Sequence, residues 1–370
     1  MRTPNEVDFW RGFALVSIFA NHIPGFFFER FTARNVGLSD SAELFVFLAG
    51  WALRRLADAA TTRPELVRLV LRLGARAVTL YAAQILITTL AVGLTAGSAL
   101  WLENPLLLEW NNSAALFQSP AATHVGLVFL SHQLGYFDIL PLYVVLMLSA
   151  PGLAIVHYFV PRLVLPLSVV MYVATLTTGI NLPTWPVEGT WYFAPFAWQL
   201  VFTLGFTLAG RATATGVERI GRGRIRAVGL VIVVAGAVAA LSDYAPDPLQ
   251  VPWPPLFFIF DKTFDTPARV IHFLGVVALF AGSFGAVERH APSIARFLSM
   301  LGRNSLNVFC IASVLSLTGQ IVRFGFGHGI GTDCGLLAAG LVLMGGTAWL
   351  SELRERLRRS GSDSSARASP

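Results

Sequence analysis

Ten runs of about 20 mostly apolar residues divide this chain, and that recurrence leaves few folds open. They lie at approximately 9–28, 40–58, 70–97, 134–158, 160–179, 192–210, 226–242, 267–287, 304–323 and 331–350. Inside a bilayer no water meets the backbone, so every N–H and C=O must find a partner within the protein, and runs of this length read as helices. Composition agrees. Hydrophobic residues are 55% of the 370, charged residues only 13%, and mean hydropathy is +0.63; a soluble domain carries about a quarter charged residues. The expected fold is an all-α integral membrane bundle of about ten transmembrane helices with both termini cytoplasmic. Residues 1–354 form the polytopic domain. Residues 355–370, rich in Ser, Arg and Asp, are expected as a disordered cytoplasmic tail.

Arginine placement orients this bundle. With the N-terminus inside, 22 of the 27 Lys and Arg residues fall on cytoplasmic ends and loops; Arg30, Arg34, Lys262, Arg269 and Arg323 remain outside. This positive-inside bias accounts for the net charge of +6 and the pI near 9.8 without a nucleic-acid partner. The outer loops differ in character. Residues 98–133, 180–191 and 243–266 are poor in Arg and rich in Trp, Pro, Asn and Asp. Such loops suit a sugar surface, where rings stack on indole and hydroxyls need paired donors and acceptors; an aromatic belt at the membrane interface accounts for the same residues. Cys310 and Cys334 lie in or beside apolar runs and read as buried thiols, with no metal cluster expected.

Ionisable groups inside apolar runs are costly and mark function. The first run carries Asp8, Arg11, Asn21 and His22, and the second opens with Asp40 and Glu43. Arg11 and His22 are eleven residues apart, about three turns, so they share a helix face some 16 Å apart along the axis. Asp40 and Glu43, three apart, share a face as well. A carboxylate beside a histidine fixes its tautomer and prepares it to take a proton from a hydroxyl. His22 is therefore the candidate base, with Glu43 or Asp40 as its orienting partner. Arg68, Arg72 and Arg76 form a stripe on one helix face; with Arg11, the pair Arg72 and Arg76 can hold a phosphorylated ligand at the cytoplasmic surface. Asp138, Trp198, Gln199 and His272 are the remaining notable polar residues within runs, and Asn21, Gln199 or Trp198 can serve as an oxyanion donor.

These residues carry a resemblance. Asp8-x-x-Arg11-Gly12 ending in Asn21-His22 resembles the membrane acyltransferase superfamily, whose first helix bears an arginine or lysine eleven positions before a catalytic histidine. Within it the chain is similar to the OpgC family, the succinyltransferases of osmoregulated periplasmic glucans. Residues 37–48, 135–146, 191–202, 261–274 and 301–310 carry the likeness in order; Ala49 stands where a serine is expected before Gly50. The resemblance implies a bacterial inner-membrane enzyme with no permanently bound cofactor. It takes succinyl from succinyl-CoA on the cytoplasmic side and esterifies hydroxyls of a periplasmic glucan. Candidates for binding that acceptor are Asp138, Trp198, Gln199, Lys262 and His272. Acetyl transfer to another envelope polysaccharide is the alternative. A secondary transporter also fits buried charge, but the chain lacks a visible repeat and gathers its charge in the first two runs. The arginine bias predicts that a reporter fused after Pro370 is active if it works only in the cytoplasm and silent if it works only in the periplasm.

Overall fold

The computed structural model describes residues 3–215 and 223–367, with side chains described over 3–210 and 223–358. Arg2, Arg219 and Arg222, counted above among the inner arginines, lie outside the described residues, as do the side chains of Arg211, Arg359 and Arg367 and the last three residues of the tail. Among the described residues the secondary structure is helical, apart from one isolated antiparallel bridge between Pro183 and Thr190. The longer helices are α1 (Glu6–Asn21), α2 (Ser41–Asp58), α3 (Arg63–Trp101), α4 (Ile139–Phe159), α5 (Val164–Thr178) and α6 (Pro195–Thr215). They continue with α7 (Arg224–Leu241), α8 (Pro267–Phe280), α9 (Phe284–His290), α10 (Pro292–Arg303), α11 (Ser305–Phe326) and α12 (Ile330–Arg367).

Among the described residues six helices are long and apolar enough to cross a membrane: α3, α4, Pro161–Thr178 containing α5, α7, α11 and the Ile330–Arg358 part of α12. A seventh is counted if α8 and α9, bent by 49° at their junction, are one span. The chain is a multi-pass membrane protein. The other expected runs are helical too, but shorter or more charged. α2 holds Glu43, Arg54, Arg55 and Asp58 within 18 residues. α1 stops at Asn21 rather than running to residue 28. Pro24 disfavours helical backbone at Ile23, and Gly25 takes φ +71°, where the chain turns into a 3-10 helix over Phe27–Phe31. α3, at 39 residues, is about 58 Å long, well beyond a hydrocarbon core of about 30 Å. α12 continues to Arg367, into the segment 355–370.

The chain packs as two compact units, Met1–Glu29 with Ser283–Pro370, and Arg30–Gly282. Residues 1–354, read from the sequence as one polytopic domain, divide between them. Each unit contains a helix crossing built on paired glycines. In the first, Gly12 of α1 meets the backbone of Leu298 in α10, and Gly302 of α10 meets the backbone of Asp8. In the second, Gly50 of α2 meets Phe202 in α6, and Gly205 of α6 meets Phe47. Lipid gives helices no hydrophobic reason to associate, so close backbone approach over small residues supplies the attraction. A Cβ at any of the four would overlap the opposing carbonyl. Gly205→Ala is expected to destabilise the protein by about 1–3 kcal/mol or more. Gly74→Ala in α3, where nothing outside the local helix backbone lies within 4 Å of the added carbon, is expected to cost nothing and to stabilise by up to about 1 kcal/mol. Thermal denaturation of both variants in detergent checks this.

Candidate active site

The second unit gathers its charge at the start of α2. Asp40 is the N-cap and Glu43 the third helical residue, so the two form a capping box. Asp40 Oδ1 accepts the Ala42 N–H at 2.8 Å and Glu43 Oε2 accepts the Asp40 N–H at 2.9 Å. Each carboxylate thus spends one oxygen on the helix end. The other oxygen takes a cation from the segment entering α8: Lys262 Nζ donates to Asp40 Oδ2 at 2.5 Å, and Arg269 donates to Glu43 Oε1. The Arg269 guanidinium also stands 4.0 Å from Asp40 and 3.7 Å from Asp265. The Glu43 and Asp265 side chains are fully buried.

The loop that delivers these cations is tied at several points. Asp261 Oδ1 accepts the Phe264 N–H, Thr266 Oγ1 donates to the Ile259 carbonyl, and the Trp198 indole N–H is shared between the carbonyls of Lys262 and Thr263. The Lys262 ammonium also lies 5.9 and 5.7 Å from the ring centres of Tyr192 and Phe193, within cation–π range. Burial works against its charge, but Asp40 and then Glu43 outweigh that and hold its pKa above the usual lysine value. Asp138, just before α4, is acted on electrostatically by the same ammonium.

His272 lies one turn beyond Arg269. Its Nδ1 accepts the Ser39 N–H at 3.2 Å and meets Ser39 Oγ at 2.7 Å. Accepting from a backbone donor leaves the ring proton on Nε2. The ring fills a slot between Gly37 and Gly236, where a Cβ on either would overlap it. Gln199 is held by Ser168, whose hydroxyl donates to Oε1 at 2.6 Å and whose carbonyl accepts from Nε2 at 2.9 Å. The Trp198 and Gln199 donors are therefore already committed to protein acceptors.

In the first unit, Arg11 is half-buried with its guanidinium 3.8 Å from Asp8, beside the crossing with α10. His22 caps the C-terminus of α1; its N–H donates to Ile18 and its carbonyl accepts the Gln320 amide at 2.6 Å. Arg11 lies within α1 and His22 just past its end. Arg72 and Arg76 belong to the second unit and lie on the exposed side of α3, opposite the buried stripe of Leu66, Leu69, Leu73 and Ala77.

The structure brings together Asp40, Glu43 and Lys262, with His272 and Trp198 bracing them, and Asp138 within electrostatic reach of Lys262. Sequence reasoning missed Arg269, Asp265 and Ser39. Arg269 was placed as an outer-side basic residue only, although Asp265 and Arg269 are spaced one helical turn apart beside Lys262, a pattern that a charge-pairing search finds. Compared with known families, the chain matches the OpgC protein model over residues 3–356 and belongs to that family. No curated protein and no solved structure matches it.

The Glu43–Arg269 pair is buried, so removing one partner strands the other. Arg269→Gln is expected to cost about 3–5 kcal/mol of stability. Adding Glu43→Gln is expected to restore part of that loss. Denaturation of the two single variants and the double variant, treated as a cycle, measures the coupling.

Proposed function

We propose that this protein is an acyl-CoA-dependent O-acyltransferase of a bacterial inner membrane, moving a succinyl group from cytosolic succinyl-CoA to hydroxyls of a periplasmic glucan. The observation that carries this reading is its membership of the OpgC family over residues 3–356. In it, all ten helical runs span and both termini are cytoplasmic, which the arginine bias supports. His22 is the base. It takes the proton as the sugar oxygen attacks the thioester carbonyl, and returns it to the departing thiolate of CoA. Arg11, Arg72 and Arg76 hold the CoA phosphates, a task suited to fixed guanidinium charges.

The centre in the second unit is assigned to the acceptor. Among the described residues, the two cations of this centre are already hydrogen-bonded, Lys262 to Asp40 and Arg269 to Glu43, which leaves neither over for the free carboxylate of a succinyl group and favours hydroxyl donors. The Lys262 side chain is 25% exposed, more than that of Asp40, Arg269 or Glu43, so Lys262 and Asp138 are the sugar-facing groups. Trp198, Gln199 and His272 hold that surface in shape.

Single-turnover transfer from succinyl-CoA to a glucan, with donor binding measured separately, tests this. His22→Ala is expected to lose at least about 10²-fold in rate with CoA binding intact. Retention of more than about a tenth of the wild-type rate overturns the base assignment. Offering acetyl-CoA in the same assay decides the acyl group.

A further inference from the structure

Asp265 has no task in the reaction above. Its side chain is 0% exposed, and neither carboxylate oxygen has a hydrogen-bond partner among the described residues. The backbone around it is nonetheless fixed. Its N–H donates to the Lys262 carbonyl at 3.2 Å, its carbonyl accepts the Tyr172 hydroxyl at 2.7 Å, and its φ is +43°. A non-glycine residue stays in that region only where its surroundings hold it there. The carboxyl group therefore stays turned into the centre, away from water.

Three carboxylates, Asp40, Glu43 and Asp265, face two cations, Lys262 and Arg269. The hydrogen bonds of those cations go to Asp40 and Glu43. Arg269 Nε stands 3.7 Å from Asp265 Oδ1, too far for a hydrogen bond, and is itself without a partner among the described residues. An ionised carboxylate with no hydrogen bond in a closed site is costly, and it would draw Arg269 away from Glu43. We propose that Asp265 holds a proton at neutral pH, so that two cations meet two anions and a neutral carboxyl closes the array. Asp265 is then a positioning residue, seating Arg269 against Glu43 without competing for it.

The groups that act on Asp265 are Glu43 from α2 and Asp40 at its N-cap, Lys262 from its own loop, Arg269 from α8 and Tyr172 from α5. Burial first, and then the charge of Glu43, push the carboxyl well above the usual aspartate value. A folded-state pKa raised in this way contributes stability that is complete below the ordinary carboxylate range and is lost as pH rises through the folded value.

The proposal holds whatever the acyl donor, and its test needs no transfer assay. Asp265→Asn places a neutral isostere at the site. It is expected to fold, to melt at neutral pH no lower than wild type, and to flatten the fall in melting temperature as pH rises above the ordinary carboxylate range. Infrared spectra of protein labelled with ¹³C-aspartate are expected to show a shifted band of a protonated carboxyl at neutral pH in the wild type, missing in Asp265→Asn. A variant that fails to fold, or melts as far below wild type as Glu43→Gln, overturns the proposal. So does a wild-type spectrum with no aspartic-acid band that Asp265→Asn removes.

Discussion

The second unit depends on the way two carboxylates divide their oxygens. Asp40 and Glu43 each give one oxygen to the first turn of α2 and the other to a cation from the segment before and within α8. Helix start and interhelical tie are one structure. Without the capping box the carboxylates would lose their orientation; without Lys262 and Arg269 they would be buried anions, which cost several kcal/mol each. The segment from Asp261 to His272 is held to the same place by independent means: the Trp198 indole, the Thr266 hydroxyl and the Ser39–His272 contact. None of these is an ion pair, so the loop has its shape before charge is considered.

The helical character of the chain was legible because bilayer length and backbone pairing leave a single answer for apolar runs of this size. Where α1 ends was less legible. The apolar run continues through Phe26, Phe27 and Phe28, and hydropathy does not register that Pro24 and Gly25 break the backbone there. Asp40 and Glu43 were picked out as a pair by their spacing, but their cations were not. Lys262 and Arg269 are more than two hundred residues away, and only tertiary packing brings α8 to α2. Arg269 also looked like an interfacial positive charge, which is the usual reading for an arginine at the edge of an apolar run.

His272, Trp198 and Gln199 show the same limit from another side. A polar residue in an apolar run signals that it must be satisfied, but not by what. Here the satisfying groups are mostly backbone carbonyls and N–H groups of neighbouring segments, together with the Ser39 and Ser168 hydroxyls. Such partners leave no trace in the pattern of side chains. The glycines at the two helix crossings were half legible: small residues in membrane helices permit close approach, yet Gly74 and Gly93 look the same in sequence and meet nothing.

The direction of the helices explains why this centre needs so much carboxylate. Asp40 and Glu43 sit at the N-terminus of α2, where the helix dipole favours negative charge by about 0.3–1 kcal/mol each. Arg269 sits in the first turn of α8, after Pro267, and there the same dipole opposes a cation. Two helix N-termini therefore meet, both electropositive, with two cations added between them. Two carboxylates balance the side chains formally but leave the partial positive charge of the helix ends. The Asp265 carboxyl, four residues before Arg269, stands 3.7 Å from the guanidinium Nε, while Nη2 goes to Glu43. Held neutral, it stands there without adding a charge that the closed site has no hydrogen bonds to support.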